Sequence, residues 1–271
     1  MVAPNEITPQ KLLRLIGTPN CPQIVDILID PDFADYPHLI SGDFRHPHND
    51  LSGLISRLNG QPSIIICQNG SKLSQGMTAQ LRSAGLRSEY LSGGNYGWRD
   101  LTQAPRIPSA NLPPMDHGHS LWIKRHRPQI DRIACPWLIR RFVDNNARFL
   151  FVSSAEGIGI SERHNAIPFD IEDTFWSHRS DTYTFDTMLD EFGLRTPALD
   201  RLSSVVRAAD TDNHDLALEA AGLLALSVGL SRQYRDNLEQ LEAGMQLYDA
   251  QYRWARDGTE ERQTWPTGRP S

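Results

Sequence analysis

A chain of 271 residues can hold one large domain or two modest ones, and its 39% hydrophobic and 22% charged residues read as an ordinary soluble protein. The formal net charge of −6 excludes the overall basic footprint of nucleic-acid and anionic-membrane binders. No apolar run approaches the roughly 20 residues that cross a bilayer. Cys21, Cys67 and Cys135 are odd in number and far apart, with no Cys-x-x-Cys pair. A reducing, cytoplasmic setting follows, with neither a disulfide framework nor a thiolate zinc site. The N-terminus has no charged segment followed by an apolar one, so no signal peptide is expected.

Thr8 to Leu15 reads as a helix with Thr8 as N-cap and Pro9 at its first position. Ile24 to Leu28 reads as a strand, broken by Asp30-Pro31-Asp32. Asn49-Asp50 starts a helix that Asn59-Gly60 stops. Ile64-Ile65-Ile66 is a buried strand that runs into Cys67 and a short loop ending at Lys72, with a helix over 73–81. Cys67 therefore falls at a strand's carboxyl end, where α/β sheets handle ligands. Loop amides, the helix N-terminus and Lys72 would favour a thiolate there. On these residues alone, a nucleophile and a buried thiol acting as a small apolar residue are equally good readings. Ser88 to Leu91 is a further strand, so this half alternates strands and helices as parallel βαβ units do.

Four prolines between 103 and 119 mark a semi-rigid linker that builds no core. The expected organisation is a first domain over 1–102, this linker, a second domain over 120–258 and a polar tail over 259–271. In the second domain, Ser120 to Lys124 and Ala147 to Val152 read as strands. Asp131 to Val143, Phe185 to Phe192, Ala198 to Ala208, Leu216 to Leu230 and Asn237 to Ala255 read as helices. This half is helix-rich α+β.

Several ordered pieces of the first half resemble the rhodanese-like sulfurtransferases. They are Asp26 on the first strand, the turn Tyr36 to Gly42, the six-residue loop Cys67-Gln68-Asn69-Gly70-Ser71-Lys72, and Leu91-Ser92-Gly93-Gly94-Asn95-Tyr96-Gly97-Trp98. The resemblance implies a parallel sheet flanked by helices and a persulfide formed on Cys67. Gln68, Asn69, Gly70 and Ser71 would cradle the sulfur, and Lys72 would stand where the family has a loop-end arginine. That exchange keeps the charge and loses bidentate oxyanion binding.

The second half resembles the C-terminal domain of ChrB-type chromate-resistance proteins. The motifs are Asp131-Arg132-Ile133-Ala134-Cys135-Pro136-Trp137-Leu138-Ile139-Arg140-Arg141-Phe142, Phe185 to Leu194 and Leu241 to Asp249. The resemblance implies a role in chromate resistance or sensing.

His178, Asp186, Asp210 and His214 carry ligand types that suit a divalent Mn, Fe or Zn ion. The competing reading makes Asp210 a helix cap and the histidines surface groups. Arg132 and Arg140 lie in the most basic region and suit a tetrahedral oxyanion, or else form a solvated helix face. Cys135 is either an oxidant sensor at a helix start or a packed thiol. Glu219 is either a buried carboxylate in need of a partner or a solvent-facing one. The function expected is a rhodanese-type sulfurtransferase joined to a ChrB-like domain. Its donor would be thiosulfate or a protein persulfide, and chromate or another oxyanion a further ligand. Nucleic acid and membranes are not expected partners. The alternative is a chromate- or metal-responsive transcriptional regulator.

Overall fold

The structure, a computed structural model, describes residues 5–116, 118–126, 129–152, 163–171, 173–179, 182–211 and 213–261. In the first half β1 (Glu6–Ile7), α1 (Pro9–Leu15), β2 (Gln23–Asp26), α2 (Asp30–Asp35), β3 (His38–Ile40), β4 (Asp43–Arg45), α3 (Leu51–Leu58), β5 (Ser63–Ile66), α4 (Lys72–Ser83), β6 (Ser88–Leu91) and α5 (Gly94–Arg99) follow in order. Five strands form an all-parallel sheet in the order β1-β6-β5-β2-β4, which places β5 at the centre.

Side chains of a strand alternate between faces, and β5 obeys this. Ile64 and Ile66 join the larger core, whereas Ile65 and Cys67 pack with Leu54 and Leu58 of α3 and Met77 and Leu81 of α4. Thr8 caps α1, its hydroxyl accepting from the Lys11 amide at 3.3 Å, and Asp50 caps α3 through the Gly53 amide at 2.9 Å. β2 ends at Asp26, short of the expected Leu28, and Asp30-Pro31-Asp32 opens α2. Pro31 stands in that helix's first turn, where a missing N–H costs nothing.

The proline-rich stretch contributes more than a tether. β7 (Arg106–Pro108) pairs antiparallel with β3, and Ile107 is buried. The expectation that this stretch builds no core therefore fails at these residues.

The second half holds β8 (Leu121–Arg125), α6 (Asp131–Leu138), a π-helical turn over Ile139–Val143, β9 (Arg148–Val152), β10 (Ile167–Pro168), α7 (Thr184–Glu191), α8 (Pro197–Asp210), α9 (Ala220–Gln233) and α10 (Asn237–Asp257). Its parallel sheet has the order β10-β8-β9, so β8 is central. The α10 stripe is realised by Leu241, Met245, Tyr248, Tyr252 and Ala255, all buried. Glu219 precedes α9 and is exposed, so no buried carboxylate arises there.

One apolar core runs through both halves, from Leu12 of α1 and Ile16 at its C-cap to Phe142 and Tyr252. Gly17, with φ +77°, lies so close that a Cβ on it would stand 2.3 Å from Phe142 Cζ and 2.7 Å from Tyr252 Cε1. Ser41 Oγ donates to the Phe142 carbonyl at 2.7 Å, and Arg256 donates to the Arg14 carbonyl at 3.0 Å. Among the described residues, no helix is long and apolar enough to cross a membrane.

Candidate functional sites

The first candidate is the Cys67 loop. Cys67 follows the last residue of β5, and Lys72 is the first residue of α4, so residues 68–71 span the strand-to-helix turn. Gly70 (φ +65°) and Gly94 (φ +54°) face each other across it. A Cβ on Gly94 would lie 2.1 Å from the Cys67 carbonyl oxygen and 2.4 Å from the Gly70 nitrogen. The Asn95 and Tyr96 amides donate to the carbonyls of Cys67 and Gln68 at 2.9 and 3.1 Å. The Gly93-Gly94 pair thus has a physical reason: it is the floor on which the cysteine loop rests.

The Cys67 side chain is 4% exposed. Its sulfur lies 3.1 Å from Ser74 Oγ and 3.6 Å from the Ser71 carbonyl oxygen. Ser74 is fully buried one turn into α4 and was not legible as a site residue; its only signal is a hydroxyl on the helix face that meets the loop. Gln68 is half-buried, whereas Asn69, Ser71 and Lys72 are exposed. The loop places a neutral hydroxyl against the sulfur and a solvent-facing cation at its end.

The second candidate is an acidic cavity of about 400 Å³ in the other half, bounded by Ile130, Asp131, Arg132, Asp170, His178 and Asp210. Parallel pairing of β10 with β8, Ile167 beside Trp122 and Pro168 beside Ile123, brings Asp170 to Lys124. Lys124 is fully buried because β8 is the central strand. Burial pulls its ammonium down to about 7, against the attraction of Asp131. It forms an ion pair with Asp170 Oδ2, which Arg132 Nε also approaches at 3.3 Å. His178 Nε2 lies 2.9 Å from Asp170 Oδ1.

Asp131, the first residue of α6, is 2% exposed. Its Oδ1 accepts from the Phe185 amide at 3.2 Å and from the Cys135 thiol at 3.3 Å. Its Oδ2 is buried with no hydrogen-bond partner among the described residues. Burial raises the Asp131 carboxyl, and burial followed by the charge of Asp131 raises that of Asp210. The preceding Ile130 has φ +44°, a costly conformation for a β-branched residue, and its carbonyl accepts from the Tyr248 hydroxyl at 2.8 Å.

Of the three expected metal ligands whose side chains are described, two lie at this cavity and Asp186 does not. His178 and Asp210 border this cavity. Asp186 Oδ1 instead accepts from Ser203, from Arg207 at 3.1 Å and from Arg195 at 3.4 Å, and its Oδ2 accepts from the Tyr183 amide at 3.4 Å. His214 lies in a 3₁₀ turn over His214–Leu216, and its side chain falls outside the described residues. Asp131 and Asp170 stand beside His178 in the places that the sequence assigned elsewhere. The two arginines also part company. Arg132 borders the acidic cavity, whereas Arg140 pairs with Glu242 at 2.5 Å and faces a separate cavity with Arg87 and Arg141. Cys135 is fully buried, and burial together with Asp131 pushes its thiol well up, so it is a packed core thiol rather than an activated one.

Comparison with known proteins assigns the halves differently. Residues 122–255 match the family described as ChrB, C-terminal domain. Protein ChrB of Cupriavidus metallidurans is 26% identical over 193 residues, which are 66% of this chain; they span 58% of that protein's length. Among solved structures, SSP1007 from Staphylococcus saprophyticus aligns at 26% identity with a TM-score of 0.30, covering 33% of this chain and 88% of that one. A rhodanese-like domain protein from Staphylococcus aureus aligns at 24% identity and TM-score 0.31, covering 35% and 90%. The thiosulfate sulfurtransferase from Pseudomonas aeruginosa gives 20% and 0.32, covering 39% and 19%. Residues 122–255 thus match the ChrB C-terminal family, and they follow an N-terminal α/β domain built on a five-stranded parallel sheet.

Proposed function

We propose that the N-terminal domain is a sulfurtransferase in which Cys67 accepts a sulfane sulfur and passes it on. The observation that carries this reading is the seating of Cys67 at the carboxyl end of the central strand β5, in a loop held rigid by the Gly70–Gly94 contact. The Cys67 thiolate attacks the outer sulfur of a donor such as thiosulfate or a protein persulfide. A bond forms between Sγ and that sulfur, and the donor's S–S bond breaks. The electron pair leaves with the departing sulfite or thiolate. A nucleophilic acceptor then takes the outer sulfur and returns Cys67 as thiolate. Ser74 Oγ, 3.1 Å from the sulfur, donates to the anion. Lys72, exposed at the loop's end, draws an anionic donor without the fork geometry of an arginine. The ChrB-type half directs this chemistry to chromate or oxyanion tolerance.

Incubation with thiosulfate and with glutathione persulfide, followed by intact mass measurement, tests the proposal. Wild type gains one sulfur mass on Cys67 and turns over cyanide, and Cys67→Ser does neither. A wild-type protein that gains no sulfur from either donor overturns the proposal.

A further inference from the structure

We infer that Asp131, Asp170 and His178 form a binding site for a divalent cation in the ChrB-type domain. One ring nitrogen of His178 and one carboxylate oxygen from each aspartate lie within 4.8 Å of one another, close enough to share a single ion. This site is independent of the Cys67 loop and replaces the ligand set expected from sequence.

The second observation is Asp131 Oδ2. It is a carboxylate oxygen on a side chain 2% exposed, bordering the cavity, with no hydrogen-bond partner among the described residues. Leaving a buried charged oxygen without a partner is costly, and the usual resolutions are a hydrogen bond, an ion or a proton. Around it, three carboxylates (Asp131, Asp170, Asp210) face two cationic side chains (Lys124, Arg132), so the surroundings favour a further positive charge over an anion.

The donors restrict the cation. Two carboxylates and one imidazole suit Mn, Fe(II) or Zn, and the absence of thiolate argues against the soft metals. Cys135, though 3.3 Å from Asp131, donates its proton to that carboxylate and is no ligand in this state. Lys124 and Arg132 already share Asp170 Oδ2, which leaves Asp131 and His178 as the stronger donors. His178 is 41% exposed on its side chain, so an ion reaches the site without unfolding.

Full-length protein stripped by chelator and dialysed is titrated with Mn²⁺, Fe²⁺ (anaerobically) and Zn²⁺, with binding read by calorimetry, Mn²⁺ electron paramagnetic resonance and thermal shift. Wild type is expected to take up one ion per chain and to gain thermal stability. His178→Ala, a change at a half-open side chain that leaves the core intact, weakens binding at least about tenfold, and Asp131→Asn does the same. His48→Ala, at an exposed histidine elsewhere, binds as wild type does. Absence of stoichiometric binding by wild type for all three metals overturns the inference. So does binding by both His178→Ala and Asp131→Asn that is as tight as wild type.

Discussion

Gly94→Ala is the sharpest test of how the Cys67 loop is held. The residue has φ +54°, and alanine in that left-handed conformation costs about 1–2 kcal/mol. The new Cβ would also meet backbone atoms on both sides of the loop, the Cys67 oxygen at 2.1 Å and the Gly70 nitrogen at 2.4 Å. Neither is the end of a flexible side chain, so the loop must retreat. In doing so it strains the 2.9 Å bond from the Asn95 amide to the Cys67 carbonyl, at a cost of about 1–3 kcal/mol if that buried pair is lost. The sum is about 2–5 kcal/mol, which for a chain of this size lowers Tm by about 5–15 °C. A loop displaced by about an ångström also costs on the order of 100-fold in reaction at the sulfur. Gly60→Ala is the matched control, because its φ is +79° but nothing lies within 4 Å of the added Cβ. It shows the conformational cost alone and leaves Cys67 chemistry unchanged. Thermal unfolding and the rate of Cys67 alkylation by iodoacetamide read both effects. Equal Tm and equal alkylation rates for Gly94→Ala, Gly60→Ala and wild type refute the reasoning.

Further outcomes follow from the same packing. Gly17→Ala drives a methyl into Phe142 and Tyr252 in a left-handed conformation, and overpacking of that kind costs about 1–3 kcal/mol beyond the backbone strain. Urea unfolding of the whole chain should show the midpoint fall for probes in both halves. Asp249→Ala strands the Trp137 indole N–H, 2.8 Å away, and the Arg141 fork bound at 2.8 and 2.9 Å. The cost is about 2–4 kcal/mol by urea denaturation, and Asp249→Asn, which keeps an acceptor for Trp137, loses less. Burial lifts the Asp26 carboxyl to about 6, against the pull of the Leu28 amide and Arg45. The folded state then binds a proton that the unfolded chain releases near pH 4, so this group's contribution to stability is present below pH 4 and lost as pH rises through 6. Asp26→Asn removes that loss, and its stability relative to wild type should climb between pH 4 and 6 and level off above.

The elements with a local signature were legible from sequence. Three isoleucines, a cysteine and a lysine five positions on reveal a strand, its turn and a helix start, because burial and capping act within a few residues. The α10 stripe and the Thr8 and Asp50 caps are local in the same sense. Asp30-Pro31 is ambiguous for a physical reason: proline ends a strand and opens a helix equally well. β7 is only Arg106–Pro108, too short to show alternation. The acidic cavity was hardest to read. Lys124 reads as one more cation in a basic region, and only its place on the central strand β8 buries it. Asp170 lies in an irregular segment, far in sequence from Asp131, and joins it through β10 pairing with β8. Asp186 and Asp210 both sit near the right helices, yet Arg195, just beyond α7, and Arg207 of α8 claim Asp186, a choice no spacing records.

The core that runs from α1 to Phe142 and Tyr252 has a thermodynamic consequence. Because the two halves share buried surface, opening one exposes apolar area of the other, and their local unfolding equilibria are linked. Whatever binds either half therefore protects both. Amides in the Cys67 loop should exchange with solvent more slowly once the other half is liganded, although no ligand touches them.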